Sequence, residues 1–162
     1  MTQPLIFSLG SNLGDRMANL LFGRMRLEEE FGPVNAASFI LENAAFGVAD
    51  HPPYLNQILC FQFFQDIHKV LKITNGIEAE SGRIGKGLLV PRTLDIDIIG
   101  AGNLVINQST LIVPHKSMHL RRFVLEPLCD ILPDWEHPVL KKTASQLLSE
   151  LIKSEKGEII LE

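Results

Sequence analysis

The chain has 162 residues, 46% hydrophobic and 21% charged, with 15 Lys+Arg against 19 Asp+Glu and a net charge of −4. That length suits one domain with a substantial core, read as a single unit over residues 1–162. The acidic balance speaks against a nucleic-acid backbone binder, no apolar run reaches membrane-spanning length, and Cys60 and Cys129 form neither a metal spacing nor a disulfide framework.

In chain order, Leu5–Leu9 reads as a buried first strand closed by Gly10-Ser11-Asn12-Leu13-Gly14. Asp15 caps a predicted helix running to Phe31, with Met17, Leu20, Leu21, Leu27 and Phe31 at helical spacing, and Gly32-Pro33 stops it. A second strand is expected over about Val34–Leu41, then an Ala-, Gly- and Pro-rich loop from Asn43 to Pro53. Tyr54–Gln65 is strand-like, and Asp66 caps a helix with Ile67, Val70, Leu71 and Ile77 on its apolar stripe, ending at Gly82. Three glycines and a proline between Gly82 and Arg92 predict a mobile loop. A strand through Asp95 and Asp97 follows, then a turn at Gly100–Asn103, a short returning strand over Leu104–Ile106, and a loop opened by Val113-Pro114-His115. Helices are expected over about Arg121–Leu132 and Ala144–Lys153. This order is the ferredoxin-like split βαβ pattern: an α+β domain, mainly antiparallel, with helices packed on the sheet and helical additions at the C-terminal end.

The segment Pro91-Arg92-Thr93-Leu94-Asp95-Ile96-Asp97-Ile98 carries the most chemistry. Alternation puts Asp95 and Asp97 on one side of a strand and Leu94, Ile96 and Ile98 on the other. Paired carboxylates repel unless a cation lies between them, and a hard, oxygen-loving ion such as Mg²⁺ suits them. The same alternation also describes any half-exposed strand with its acids in water. Charge favours the cation. Between Gly82 and Arg122 six basic residues (Arg83, Lys86, Arg92, Lys116, Arg121, Arg122) face two acids, whereas the rest of the chain holds nine basic and seventeen acidic residues. A basic island around two carboxylates fits a metal-bridged polyphosphate.

Around that island, Asn75 and Glu78 share a helix face, Arg83 and Arg92 bracket the glycine-rich loop, and His115 beside Lys116 offers a phosphate donor. Tyr54, Asn56 and Phe123 supply what a flat heterocycle wants, aromatic faces and an amide that both donates and accepts. Each also has an ordinary reading: solvated helix flank, surface charge, surface histidine, core aromatic. Gly10-Ser11-Asn12 on its own is a tight turn.

Taken together, Gly10-Ser11-Asn12-Leu13, Tyr54-Leu55-Asn56, Glu78 with Gly82-Arg83, the Pro91–Ile98 run, Pro114-His115, Arg121, Phe123 and Pro127-Leu128 resemble the 6-hydroxymethyl-7,8-dihydropterin pyrophosphokinase family over about residues 5–135. The resemblance implies a diphosphotransferase of folate biosynthesis, moving diphosphate from ATP to a pterin alcohol and releasing AMP. It implies two Mg²⁺ ions on Asp95 and Asp97, with Arg83 and Arg92 neutralising the moving diphosphate. Asn75, Glu78, Arg83, Arg92, Ile98, His115, Lys116 and Arg121 then fall at ATP positions. Asn43, Phe46, Tyr54, Asn56, Asp95 and Phe123 fall at pterin positions, Asn43 and Phe46 by position only. The chain departs from the family pattern at Leu89 and Val90, at Glu42–Gly47 and at Lys116, which implies slower or weaker-binding catalysis. The expected partners are ATP and the pterin, with no nucleic acid and no membrane. A start without a basic, apolar leader points to a cytoplasmic protein, expected as a monomer. Two other readings stay open: an Asp-x-Asp transferase acting on another alcohol, and a non-catalytic ATP-binding module.

Overall fold

The computed structural model of the protein describes residues 3–43, 52–82 and 92–156. Phe46, Arg83, Leu89, Val90 and most of the glycine-rich segment lie outside them. The main sheet contains β1 (Gln3–Ser11), β2 (Ala36–Ala37), β3 (Leu41–Asn43), β4 (Tyr54–Phe63) and β5 (Asp95–Ala101). Its order is β2-β4-β1-β5, with β3 also paired to β4, and every pairing is antiparallel. With β2 and β3 counted as one interrupted strand, this is the expected ferredoxin-like arrangement. The central strand β1 is buried on both faces, Leu5, Phe7 and Leu9 on one and Ile6 on the other, which is why Leu5-Ile6-Phe7 reads as a continuous apolar run.

Alternation along the strands sorts the core into two layers. Leu5, Phe7, Leu9, Leu59, Phe61, Leu94, Ile96 and Ile98 face α1 (Arg16–Phe31) and α2 (Ile67–Glu80). Phe7, Phe31 and Phe61 meet there with ring centroids 5.5–6.0 Å apart, and such aromatic pairs each add about 1 kcal/mol beyond area burial. The opposite face carries Ile6, Ile58 and Ile99 beneath α3 (Arg122–Ile131) and α4 (Ala144–Glu155). Both helices of the first layer begin as their sequence signals require. Asp15 accepts from the Ala18 N–H at 3.0 Å, and Asp66 from the His68 N–H at 2.8 Å. Helix α4 opens on a reciprocal capping box between Thr143 and Gln146.

Two expectations need correcting. The second strand does not run continuously over Val34–Leu41, because side-chain chemistry interrupts its ladder. The Ser38 hydroxyl takes the Ile58 N–H at 2.8 Å, Gln57 donates to the Ser38 carbonyl, and the Phe39 N–H turns away to Asp130. The chain resumes pairing only at Leu41. The returning strand at Leu104–Ile106 does not pair with β5 either. Gly102, at φ 57°, turns the chain, and a separate hairpin forms between β6 (Ile106–Asn107) and β7 (Ile112–Val113). Turn residues were read correctly there, but which strand the chain returns to is a tertiary choice.

Candidate active site

Strand register builds the site. Gly10 of β1 lies opposite Asn56 on β4 and opposite Asp95 on β5, and Ser8 lies opposite Asp97. Residues in lateral register point to the same face, so Asn56, Gly10 and Asp95 form a row, with Asp97 two residues further along. Strand spacing puts Asn56 and Asp95 roughly 10 Å apart across that row. Lacking a side chain, Gly10 lets Asn56 and Tyr54 close in over the middle of the row. A Cβ there would sit 3.1 Å from Asn56 Oδ1 and 3.3 Å from Tyr54 Cδ1. Leu94, Ile96 and Ile98 take the buried side of β5, as the alternation requires, and leave both carboxylates half-buried on the row's face.

The flat-ring side of the row is assembled from three elements. Tyr54 and Asn56 share a face of β4 with Ile58. Asn43 of β3 pairs with Tyr54 in register, and its Oδ1 accepts from Asn56 Nδ2. Phe123, in the first turn of α3, packs into the layer on this same face, and the Arg121 guanidinium lies 5.5 Å from its ring centroid. Thus four of the five non-acidic residues expected on this side, Asn43, Tyr54, Asn56 and Phe123, converge on one face, and Phe46 lies outside the described residues.

The anionic side lies along β5. Arg92 Nη1 reaches Asp95 Oδ2 at 3.2 Å, both side chains about one-fifth exposed. A cleft of about 360 Å³ runs past the outer edge of β5, lined by Ile98, Asp97, His115 and Lys116 together with Leu71 and the Ser109–Ile112 turn. Asn75 sits one helical turn beyond Leu71, exposed. Glu78 is buried, and its Oε2 accepts the Ile96 N–H at 2.8 Å, so it braces the strand between the two aspartates. Ser81 and Thr93 bond through their hydroxyls at 3.0 Å, tying the end of α2 to the start of the same strand.

His115 is held in one tautomer. Its backbone N–H bonds the Ile99 carbonyl, and its Nδ1 accepts from the Ser117 N–H at 3.2 Å, which leaves Nε2–H as the donor. Burial pushes its pKa down to about 4, with Arg121 and Lys116 pushing the same way and Asp95 opposing them. Between about 4 and the unfolded value near 6.5 the folded chain therefore binds fewer protons than the unfolded one. This contribution to stability is complete above pH 6.5 and is lost as pH falls through the window. Chemical denaturation from pH 7 to 4 will show that slope, and His115→Gln will flatten it. An imidazole titrating near 6.5 by NMR would contradict this.

Asp95 and Asp97 offer only oxygen donors, and no third His, Cys, Asp or Glu joins them in a metal-sized cluster among the described residues. That donor set fits Mg²⁺, which is commonly held by one or two carboxylates, with water and phosphate oxygens completing its shell. Sequence reasoning read Gly10-Ser11-Asn12 on its own as a tight turn and did not set Gly10 within the row. A strand-to-turn glycine looks ordinary until register sets it between Asn56 and Asp95.

A ferredoxin-like sheet thus gathers paired carboxylates, cationic side chains and aromatic faces at one site. Residues 6–133 match the family described as 7,8-dihydro-6-hydroxymethylpterin-pyrophosphokinase (HPPK). The chain belongs to that family. It is 34% identical over 147 residues to the 2-amino-4-hydroxy-6-hydroxymethyldihydropteridine pyrophosphokinase of Synechocystis, covering 90% of this chain and 75% of that protein. It is also 34% identical over 140 residues to the folic acid synthesis protein FOL1 of Dictyostelium discoideum, covering 86% of this chain but 21% of that longer protein. A solved HPPK-DHPS structure in complex with substrates superposes with a TM-score of 0.74 at 13% identity, over 100% of this chain and 46% of the other, and shows the shared fold. The chain thus spans less than half of several longer relatives. Among the described residues, no helix is long and apolar enough to cross a membrane.

Proposed function

We propose that the chain transfers diphosphate from ATP to the hydroxymethyl oxygen of 6-hydroxymethyl-7,8-dihydropterin and releases AMP. The observation that supports this reading is the row Asn56–Gly10–Asp95 with Asp97 beside it on one sheet face, an amide and two carboxylates spaced to suit a ring beside a metal-bridged phosphate chain. Tyr54 and Phe123 provide faces for the pterin, and Asn56, steadied by Asn43, reads its polar edge. Phe46 belongs to this set by its place in the sequence. The adenine and ribose lie along the β5 cleft past Ile98, near Asn75, with Glu78 acting through the strand it braces. His115 Nε2–H, Lys116 and Arg121 donate to the phosphates, and Arg92 with Arg83 neutralises the transferred group.

Two Mg²⁺ ions on Asp95 and Asp97 would supply the charge that screens the diphosphate and acidifies the alcohol. The alcohol oxygen forms a bond to the β-phosphorus and gives up its proton to solvent, the bond from that phosphorus to the α–β bridging oxygen breaks, and AMP leaves with that oxygen. Such transfers need positioning and charge neutralisation more than covalent help from the protein, and a rigid row of strand residues supplies the positioning. This reading needs no nucleic-acid or membrane partner and places a monomer in the cytoplasm. Incubation with β-labelled ATP, the pterin alcohol and Mg²⁺ will give AMP and a pterin carrying the label. Formation of ADP, or no reaction at any substrate level, would overturn the proposal.

A further inference from the structure

Asn12 has no place in the chemistry above, yet it is 1% exposed and its polar groups are aimed at both halves of the site. Its Oδ1 accepts the Arg92 N–H at 2.6 Å and its own N–H donates to the Arg92 carbonyl at 2.9 Å. Its Nδ2 donates to the Pro52 carbonyl at 3.1 Å, forty residues away in sequence. Pro52 leads directly into Tyr54 and Asn56, whereas Arg92 leads into Asp95 and Asp97. Asn12 itself is fixed from α1, where Asn19 Nδ2 bonds Ser11 Oγ at 3.1 Å and the Leu13 carbonyl at 2.8 Å. The next carbonyl, Pro53, is held by Arg16 at 3.0 Å, so the chain entering the ring side is fastened both to the turn after β1 and to the first residue of α1.

We propose that Asn12 is a positioning residue that couples the approach to the pterin slot with the backbone of Arg92, setting the distance between acceptor and diphosphate. The physical basis is the two-sided amide. A side chain with one acceptor and one donor group can hold an N–H on one strand of chain and a C=O on another, which an ionised carboxylate cannot do for want of a donor, and a hydroxyl can do only where both groups reach a single oxygen. Because the amide is buried, losing either bond leaves a backbone group without that partner and without ready water. The proposal rests on the site reading above, in which Arg92 and the aspartates serve diphosphate transfer.

The test is a double-mutant cycle with full steady-state kinetics in both substrates. Asn12→Ala removes both bonds and is expected to lower kcat about 10²-fold and raise KM for the pterin about tenfold. Asn12→Asp keeps the acceptor toward Arg92 and loses the donor toward Pro52, so its KM for the pterin rises while kcat falls less. In an Arg92→Ala background the kcat effect of either Asn12 substitution shrinks to within threefold, because Asn12 acts through Arg92. Additive losses in the cycle, or kinetics within threefold of the parent for Asn12→Ala, would overturn the proposal. Should Asn12→Ala not fold, the near-isosteric Asn12→Asp carries the cycle. Asp97→Asn, run alongside, separates the two ideas: retained turnover there strikes the site reading, whereas its loss with an additive cycle strikes only the role of Asn12.

Discussion

Asp97→Asn will lower kcat by about three orders of magnitude, on the order of 4 kcal/mol of transition-state stabilisation, while the protein stays folded. The burial that secures β5 comes from Leu94, Ile96 and Ile98 on the opposite face, so an isosteric change at Asp97 leaves the core untouched. What it removes is one negative charge and one hard oxygen donor of a two-carboxylate set. No third acid stands close enough among the described residues to replace it. Asp95→Asn will act in the same direction and will also weaken the contact to Arg92 at 3.2 Å. AMP release at saturating ATP, pterin and Mg²⁺, read beside a thermal melt, measures both variants. Turnover within tenfold of the parent would mean that the aspartates merely face water on a half-exposed strand.

Gly10→Val will cost about 10²-fold in affinity for the pterin and leave ATP binding near its original strength. Backbone conformation does not forbid the change, since Gly10 is not among the described residues with positive φ. Space does. The first carbon of any side chain would meet Asn56 Oδ1 at 3.1 Å and Tyr54 Cδ1 at 3.3 Å, and valine adds two methyl groups above it. Those methyls would press against Asn56 and push Tyr54 off its position. Two lost orders correspond to about 2.8 kcal/mol, within the range that overpacking produces. Pterin titration followed by Tyr54 or Trp135 fluorescence, with ATP titrated separately, gives the two affinities. Unchanged pterin affinity would show that the ring does not lie over this row.

Much of this architecture was legible before any coordinates. The caps at Asp15 and Asp66, the helical stripe of α1 and the period-two pattern of β5 are local signals, and local backbone energetics obey them. The aspartate pair and its surrounding charge could be read because charge density and alternation are properties of the string itself. The interruption at Ser38 could not. It depends on a serine hydroxyl meeting the Ile58 N–H twenty residues away, a contact that exists only once β4 is in place. The same holds for β6, whose partner is chosen by how the chain packs after Gly102.

By itself, then, the sequence singled out the residues proposed to carry the chemistry: Asp95, Asp97 and Arg92 stand out by alternation and local charge, and Tyr54, Asn56, His115, Arg121 and Phe123 gain their roles through the family resemblance. Only the tertiary structure decided where they stand relative to one another. Antiparallel register sets Gly10 between Asn56 and Asp95, because pairing one strand with two neighbours converts three distant positions into one row. It also placed the Asn12 amide between Arg92 and Pro52, residues eighty and forty positions away. Side-chain chemistry is written locally, whereas register and long-range hydrogen bonds arise from burying two faces of one sheet at once.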